Sequence, residues 1–272
     1  MTLHAFLDEH YWPDGDDVLR SMIADGADLN ARSEDGSETP LHIATRRRRL
    51  SAVQIMIEHG VEVNDRNAQG KTAFEHAIRR GFTEISDLLA AHGADQTLNP
   101  ADELAEAITR HDYAAARELI QQHPETVRTG NPEEDRLLAD IAGRNPVVPV
   151  ALLINAGADL TAPGLDGGTP LHQAAWFGQP ANARLLILAG APLDIFDPVH
   201  HSSPLHWAIH GSRFSGEAEL RQQSYITLVR MLLTAGSSLH YPGDPSDVYQ
   251  QRMQEDASDQ VRPILERHFA AP

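Results

Sequence analysis

The sequence predicts an all-α solenoid of about seven helix–turn–helix repeats with a helical C-terminal cap. Three observations predict this fold class: a short signature that recurs, an apolar anchor residue at nearly constant spacing, and a glycine at a fixed distance behind most anchors. Two independent features, the anchor residue and the position 19 residues after it, recur together through six units, which indicates a true internal repeat. The chain is therefore expected to fold as a stack of similar units, each of which buries its apolar face against its neighbours.

The signature is clearest in three places, and the anchor is its third residue. It reads Thr39-Pro40-Leu41-His42, Thr169-Pro170-Leu171-His172 and Ser203-Pro204-Leu205-His206. The full set of anchors is Leu7, Leu41, Phe74, Leu104, Leu138, Leu171 and Leu205, with successive gaps of 34, 33, 30, 34, 33 and 34 residues. The residues 19 positions after the first six anchors are Gly26, Gly60, Gly93, His123, Gly157 and Gly190. In the seventh unit the glycine, Gly236, comes 31 positions after its anchor, which indicates a 12-residue insertion near Ser212–Gln223.

This pattern resembles the ankyrin repeat, whose unit of about 33 residues carries a Thr-Pro-Leu-His-x-Ala signature and two antiparallel helices. The resemblance covers roughly residues 3–240, and it is weakest in the fourth and fifth units, which lack the signature. We expect an array over residues 1–240 and a cap over 241–272, with cap helices at 247–256 and 258–269. In the sixth unit, for example, Pro170 begins the inner helix, and the left-handed Gly190 ends the outer helix. The resemblance also implies that the signature histidines are structural and hydrogen-bond the signature loop to its neighbour.

Composition excludes several classes of function. The 39 acidic and 22 basic residues give a net charge of −17, which opposes wrapping by nucleic acid and adsorption to an anionic membrane. The absence of cysteine excludes disulfides, cysteine nucleophiles and thiolate metal sites. The first ten residues do not resemble a signal peptide, and no window approaches 18 uninterrupted apolar residues. We therefore expect a cytoplasmic protein with no membrane segment.

Catalytic and nucleotide-binding motifs are missing from the sequence, which has no Walker loop, no Gly-x-Ser-x-Gly elbow and no His-Glu-x-x-His helix. We expect no enzyme activity, no cofactor and no metal. The alternative is a zinc site at His200, His201, His206 and His210, with a metal-dependent hydrolysis that is lost in His210→Ala. No acidic or thiol ligand completes that set, and His206 already belongs to a signature.

The ends of the inner helices are the candidate binding positions, because proteins with this type of repeat bind through their fingers and these helix ends. They lie five and six residues after each anchor. The predicted protein-binding residues are Trp12, Arg46, Arg47, Arg79, Arg80, Arg110, Arg144, Trp176, Phe177 and His210. Arginine and tryptophan are enriched among binding hot spots. The sequence therefore predicts a cationic groove bordered by tryptophan. The alternatives are that the arginines pair with finger carboxylates and that Trp12 only seals the first repeat.

The predicted function is non-catalytic binding of one protein partner in the concave groove. By analogy with ankyrin-type bacterial immunity proteins, which block a toxin, we expect an inhibitor whose partner is a toxin or an enzyme. The alternative is a scaffold that joins two proteins through both the groove and the outer helices. The sequence leaves the partner and the oligomeric state open, and it predicts no nucleic acid or membrane partner.

Overall fold

A computed structural model describes residues 2–9, 15–144, 146–243 and 248–269. Within these ranges the secondary structure is helical and contains no β-strand. The chain divides into two compact units, Met1–Thr126 (unit 1) and Val127–Pro272 (unit 2). The predicted boundary at residue 240 between array and cap stays a prediction.

Unit 1 contains the first four repeats, each an inner helix followed by an outer helix. The inner helices are α1 (Leu3–Glu9), α3 (Pro40–Arg46), α5 (Ala73–Arg80) and α7 (Pro100–Thr109). The outer helices are α2 (Gly15–Ala24), α4 (Leu50–Glu58), α6 (Thr83–Ala91) and α8 (Tyr113–Gln122). Each inner helix packs on the next inner helix, and α4 packs on the outer helices α2 and α6. The anchor leucines Leu7, Leu41 and Leu104 are at most 1% exposed, so the repeat pattern marks the core of the stack.

Unit 2 contains the other three repeats and the cap. Its inner helices are α10 (Leu137–Ala142), preceded by the short α9 (Pro132–Asp135), then α12 (Pro170–Trp176) and α14 (Pro204–Phe214). Its outer helices are α11 (Val147–Asn155), α13 (Pro180–Leu188) and α15 (Gln222–Ala235). Gly190 has a φ of 89° at the end of the sixth repeat, where a side chain would be strained, as predicted.

The C-terminal pair of helices continues the stack of unit 2. Helix α16 (Val248–Asp256) packs on the inner helix α14, and α17 (Arg262–Phe269) packs on the outer helix α15. Met253 and Leu265 of this pair are fully buried. The pair therefore occupies the positions of an eighth repeat without carrying the signature.

Two repeats depart from the regular pattern in ways that shape the surfaces described below. Helix α7 begins at Pro100, three residues earlier relative to its anchor than α3 does, because Asn99 caps it through a bond from the Asp102 backbone N–H (2.8 Å). The finger before α7 is shorter, over residues 94–99 against 61–72 before α5, so the gap before the fourth anchor falls to 30 residues despite the extra turn. In the seventh repeat the insertion lengthens α14 to Phe214 and adds a 3₁₀ turn over Ala218–Arg221.

Two of the three signature histidines, His42 and His172, bond as the resemblance implies. Nε2 of His42 donates to the Lys71 carbonyl (2.9 Å), and Nδ1 accepts from the Thr39 hydroxyl (2.7 Å). His172 makes the same pair of bonds to the Ser202 carbonyl (3.0 Å) and the Thr169 hydroxyl (2.8 Å). Each histidine therefore joins its own helix start to the finger of the following repeat.

Candidate protein-binding surfaces

The arginines of the second repeat lie at the end of α3, as predicted, and both contact Asp8 of the first repeat. Nη2 of Arg46 lies 2.9 Å from Asp8 Oδ1 and 3.0 Å from Glu38 Oε2, and its side chain is 13% exposed. Arg47 Nε lies 2.9 Å from the same Asp8 oxygen, but its side chain is 44% exposed. Burial opposes ionisation of Asp8, yet hydrogen bonds and attraction from Arg47 and Arg46 outweigh it and lower the pKa of that carboxyl. Arg46 is thus committed to contacts within the molecule, and Arg47 keeps an exposed face.

The arginines of the third repeat are less accessible. The side chain of Arg79 is 4% exposed, and its Nη1 donates to Asp102 Oδ1 (2.9 Å) and to the Ala101 carbonyl (3.0 Å). The other Asp102 oxygen accepts from Nζ of Lys71 at 2.6 Å. Arg80 beside it is half-buried. The groove position of Arg79 is therefore occupied by a buried ionic cluster.

The two remaining arginines of the predicted set are exposed. Arg110, in unit 1, caps α7 and pairs with Glu106 one turn earlier at 3.0 Å, with 64% of its side chain exposed. Arg144 lies in unit 2 just after α10 and is exposed, while its backbone carbonyl accepts from Nδ2 of Asn182 (2.7 Å). Trp12 lies outside the described residues. The alignment of all four tip arginines into one cationic groove stays a prediction.

In unit 2 the predicted residues Trp176, Phe177 and His210 come together around one cavity. This cavity, which we call the aromatic pocket, has a volume of about 310 Å³. It is lined by Asp166, Trp176, Phe177, His200, Ser202, His206, Trp207, His210 and Arg252. The rings of Trp176 and His210 stack at 5.5 Å, and Trp176 meets Trp207 edge-on at 6.1 Å. The pocket thus has an apolar wall and a small number of charged groups.

Glycine allows this wall to form. A Cβ at Gly211 would lie 2.5 Å from the carbonyl oxygen of Trp176, so only glycine lets α14 approach α12 this closely. A Cβ at Gly143 would lie 2.4 Å from the ring of Phe177, which therefore rests on α10. Both glycines occupy predicted tip positions, where the sequence alone shows only that a side chain is missing.

A charged network closes the pocket on the cap side. Asp256 Oδ2 on α16 lies 2.8 Å from His206 Nε2, 3.1 Å from His210 Nδ1 and 4.0 Å from Arg252 Nε. Burial lowers the pKa of His206 despite its hydrogen bond to Asp256. Burial of Asp256 works against its ionisation, but hydrogen bonds from His206 and His210 lower the pKa of this carboxyl. The cap therefore supplies a carboxylate where the inner repeats use the carbonyl of the next finger.

The described residues contain no group of three or more His, Cys, Asp or Glu side chains arranged to hold a metal ion. His206 and His210 face each other edge-on with ring centroids 6.5 Å apart, and both bond to Asp256. Among the described helices, none has the length and apolarity needed to cross a bilayer.

Comparisons with known proteins match both units. The family model "Ankyrin repeats (3 copies)" matches residues 12–100, and the model "Ankyrin repeat" matches residues 166–198. These matches agree with the repeat spacing and the histidine bonds described above. The chain is an ankyrin repeat protein.

Several curated proteins are similar over most of the chain. Rabankyrin-5 of Homo sapiens is 27% identical over 210 residues, covering 71% of this chain and 18% of the relative. The probable E3 ubiquitin-protein ligase XBOS33 of Oryza sativa subsp. japonica is 29% identical over 203 residues, covering 65% and 37% respectively. The chain thus spans less than two fifths of either relative. The human ASB11 ankyrin repeat domain is 21% identical, with a TM-score of 0.39 over 90% of this chain and all of that one.

The ankyrin repeat fold is in general a non-catalytic interaction module, and the repeats support protein–protein interaction as the coarse function of this chain. The tip positions predicted from the sequence include Trp176, Phe177 and His210, which line the pocket. In α14, however, the insertion lengthens the helix, so that His210 lies inside it and Phe214 lies at its end. Phe214 packs on His210 at 4.4 Å and is 51% exposed. Sequence reasoning missed Asp166, Trp207 and Arg252 as pocket residues. Arg252 belongs to the cap, and no repeat signal marks its place beside α14.

Proposed function

We propose that this ankyrin protein binds one protein partner through the inner-helix tips and fingers, with the aromatic pocket of unit 2 as the main anchor. The observation that carries the proposal is the pocket itself, where Trp176, Phe177 and His210 surround an open apolar cavity. Binding energy concentrates in a few aromatic and arginine side chains that fill or form such pockets. A partner side chain that enters the pocket gains apolar burial and aromatic contacts together.

The surface around the pocket supports the same proposal. Phe177 lines the cavity and is 38% exposed, Phe214 packs on the lining residue His210 and is 51% exposed, and Val199, next to the lining residue His200, is 61% exposed. Exposed apolar area that surrounds a cavity is typical of a protein interface. The proposed set of binding residues also contains the exposed Arg144 of unit 2 and, in unit 1, the exposed Arg47 and Arg110, whereas Arg46, Arg79 and Arg80 lie at more buried positions. Trp12 completes the proposed set of binding residues.

The proposed action is inhibition by coverage. A rigid surface that occupies the functional face of a toxin or an enzyme blocks it without any chemistry of its own. The net charge of −17 adds long-range attraction for a basic partner, which raises the rate of association. Cytoplasmic action on such a partner is part of the same proposal.

Capture followed by quantitative binding tests this function. The full chain, immobilised through a tag, is used to isolate its partner from cells that produce both proteins, and the purified pair is measured by calorimetry. Phe177→Ala and His210→Ala are each expected to weaken binding about thirtyfold, the effect of losing a hot spot. The matched control is Leu188→Ala, because Leu188 is apolar and 74% exposed on the outer helix α13.

The same purified pair tests inhibition directly. If the partner is a toxin or an enzyme, its activity is expected to fall to zero as the chain reaches a one-to-one ratio. Full activity at saturation contradicts inhibition. Equal affinity of the Phe177→Ala, His210→Ala and Leu188→Ala variants contradicts the pocket as the anchor.

A scaffold is the second candidate, and one observation favours it. The outer helices α13 and α15 form a separate cavity of about 450 Å³, which is lined by Arg184, Ile187, Leu188, Thr227, Arg230, Met231, Thr234 and Ala235. A second protein bound there would leave the aromatic pocket free for the first. The scaffold predicts a ternary complex that Leu188→Ala reduces to a binary one, and gel filtration with light scattering distinguishes the two.

A further inference from the structure

The aromatic pocket carries two charged residues at opposite ends of its lining. Asp166 lies in the finger turn that precedes α12, and Arg252 lies on the cap helix α16. Helix α14 packs between α12 and α16 in the stack. The order along the stack is therefore carboxylate, aromatic wall and guanidinium.

Asp166 differs from a matching aspartate in unit 1. Both Asp35-Gly36 and Asp166-Gly167 form finger turns with a left-handed glycine, at φ values of 72° and 75°. The carboxylate of Asp35 accepts bonds from the hydroxyls of Ser33 and Ser37 and from the Ser37 backbone N–H (2.9 Å), and hydrogen bonds, above all from Ser33, lower its pKa to about 2. Within the described ranges, Asp166 makes no ion pair or hydrogen bond, and it is exposed at the pocket edge.

Arg252 is also accessible to a partner. Its side chain is 52% exposed, and its only ion pair within the described ranges is a long one, 4.0 Å from Nε to Asp256. His206 and His210 hold the same Asp256 oxygen at shorter distances, 2.8 and 3.1 Å. Arg252 therefore keeps most of its donors for a ligand carboxylate, which a guanidinium binds in a planar, two-point geometry.

The size of the pocket limits what enters it. A volume of about 310 Å³ lies at the lower end of ligand pockets, which suits one or two side chains rather than a folded element. The edge-on and stacked rings of Trp176, Trp207 and His210 favour an aromatic or large apolar guest.

From this arrangement we infer that the pocket recognises a protein segment in which an aromatic or large apolar side chain lies between a basic residue and an acidic residue. The apolar side chain enters the cavity, the basic residue pairs with Asp166, and the acidic residue pairs with Arg252. The inference rests on the proposed function and names the chemistry of the partner at that site. It requires both charges, so it differs from a general attraction of basic proteins to an acidic molecule.

Short peptides test this recognition on the full chain. Neighbouring helices lie about 8–10 Å apart, so the two charges are about two such steps from each other. Two charges four positions apart in an extended peptide are separated by about 13–14 Å, and their side chains span the rest. The probes are acetyl-Arg-Gly-Phe-Gly-Asp-amide, the reversed acetyl-Asp-Gly-Phe-Gly-Arg-amide, and the neutral acetyl-Ser-Gly-Phe-Gly-Ser-amide.

Binding is followed by NMR through the indole N–H signals of the three tryptophans, which Trp176→Phe and Trp207→Phe variants assign. One of the two charged peptides is expected to shift the Trp176 and Trp207 signals with a Kd at least about threefold below that of the neutral peptide, as two exposed ion pairs allow. Asp166→Asn and Arg252→Gln are each expected to remove most of this advantage and leave binding of the neutral peptide unchanged. Both side chains are exposed, so thermal melting is expected to show unchanged folding.

Three results would overturn the inference: no peptide shifts either indole signal, the charged peptides bind no tighter than the neutral one, or the advantage persists in both variants. The proposed function is judged separately, by the effect of Phe177→Ala on binding of the purified partner. Loss of partner binding in Phe177→Ala without any preference among the peptides retains the function and rejects the charge pattern.

Discussion

The two units use the same position of the ankyrin repeat in opposite ways. In unit 1 the inner-helix tips carry arginines, and Arg46 and Arg79 are closed by carboxylates from neighbouring repeats. In unit 2 the tip of the fifth repeat carries the exposed Arg144, and the tips of the sixth and seventh repeats carry Trp176, Phe177 and Phe214, which surround or border an open pocket. Unit 1 has a net charge of −11 and unit 2 a net charge of −6. The comparison shows that a tip residue either stabilises the stack of repeats or forms part of an open surface. Which of the two it does depends on the residues that the neighbouring repeat places beside it.

The contacts that join neighbouring repeats also differ between the two units. Unit 1 joins consecutive repeats by ion pairs such as Arg48–Glu84 (2.6 Å) and Arg20–Glu58 (3.3 Å). Unit 2 joins the sixth and seventh repeats through the Trp176–Trp207 contact and through Tyr225, whose hydroxyl donates to the Trp176 carbonyl at 2.6 Å. The ion pairs between repeats use charges that a partner could otherwise bind. The contact between the two tryptophans, in contrast, leaves the Trp176 ring partly exposed.

Removal of the buried carboxylate of unit 1 is expected to have the largest effect. Asp102 is fully buried and bonds both Lys71 and Arg79, so Asp102→Ala takes the shared anion from two buried cations. We expect a loss of about 3–5 kcal/mol in the free energy of unfolding, measured by urea titration.

The matched control lies on the same helix. Glu106→Ala removes the exposed pair with Arg110 and is expected to cost about 0–1 kcal/mol. If Asp102→Ala lowers the free energy of unfolding no more than Glu106→Ala does, Arg79 does not stabilise the stack of repeats through Asp102. The contrast between the two units then disappears.

Acid is expected to weaken unit 2 through His172. Burial is the main cause that lowers the pKa of His172 to about 4, from an ordinary value of 6.5. The unfolded chain therefore binds a proton here more readily than the folded one. This contribution to stability is complete above pH 6.5 and is lost as the pH falls towards 4, in total roughly 3 kcal/mol.

Urea titrations between pH 7 and pH 4 measure this loss. His172→Gln is expected to be less stable at pH 7 but to show a flatter dependence on pH, because the titrating group is gone. Parallel pH curves for the two proteins would mean that other groups cause the acid sensitivity.

The third prediction concerns the close approach that builds the pocket. In Gly211→Ala the new methyl group would meet the Trp176 carbonyl oxygen at 2.5 Å, so we expect a loss of about 1–3 kcal/mol from overpacking and a displaced Trp176. Gly216→Ala is the control, because no other heavy atom lies within 4 Å of a Cβ there. Urea unfolding and the Trp176 indole signal report stability and position separately. An unaltered Trp176 signal in Gly211→Ala would show that the pocket does not depend on this contact.

The fold could be predicted from the sequence because the repeat spacing encodes the stack directly. The tip positions could also be predicted from the repeat spacing, but whether each tip side chain is buried or exposed could not. Arg79 is buried because Asp102 reaches it from the extra first turn of α7, and that turn arises from Asn99 and Pro100, where the signature is lost. Phe214 became a tip residue because the insertion lengthened α14, and Arg252 joined the pocket because the cap continues the stack. Each of these features depends on a neighbouring element rather than on the local pattern.

The smallest expected effect tests which unit dominates binding. Arg47 and Arg110 of unit 1 are exposed, at 44% and 64%, so the double variant Arg47→Ala/Arg110→Ala is expected to retain its fold. At about 0.5 kcal/mol for each exposed ion pair, affinity for the purified partner should fall about fivefold, against thirtyfold for Phe177→Ala. Salt should weaken binding of the wild type more than binding of this variant, since screening acts on the same pairs. If the double variant loses more affinity for the partner than Phe177→Ala does, the main binding surface lies in unit 1. That result would agree with the cationic groove that the arginine pattern of the sequence predicts.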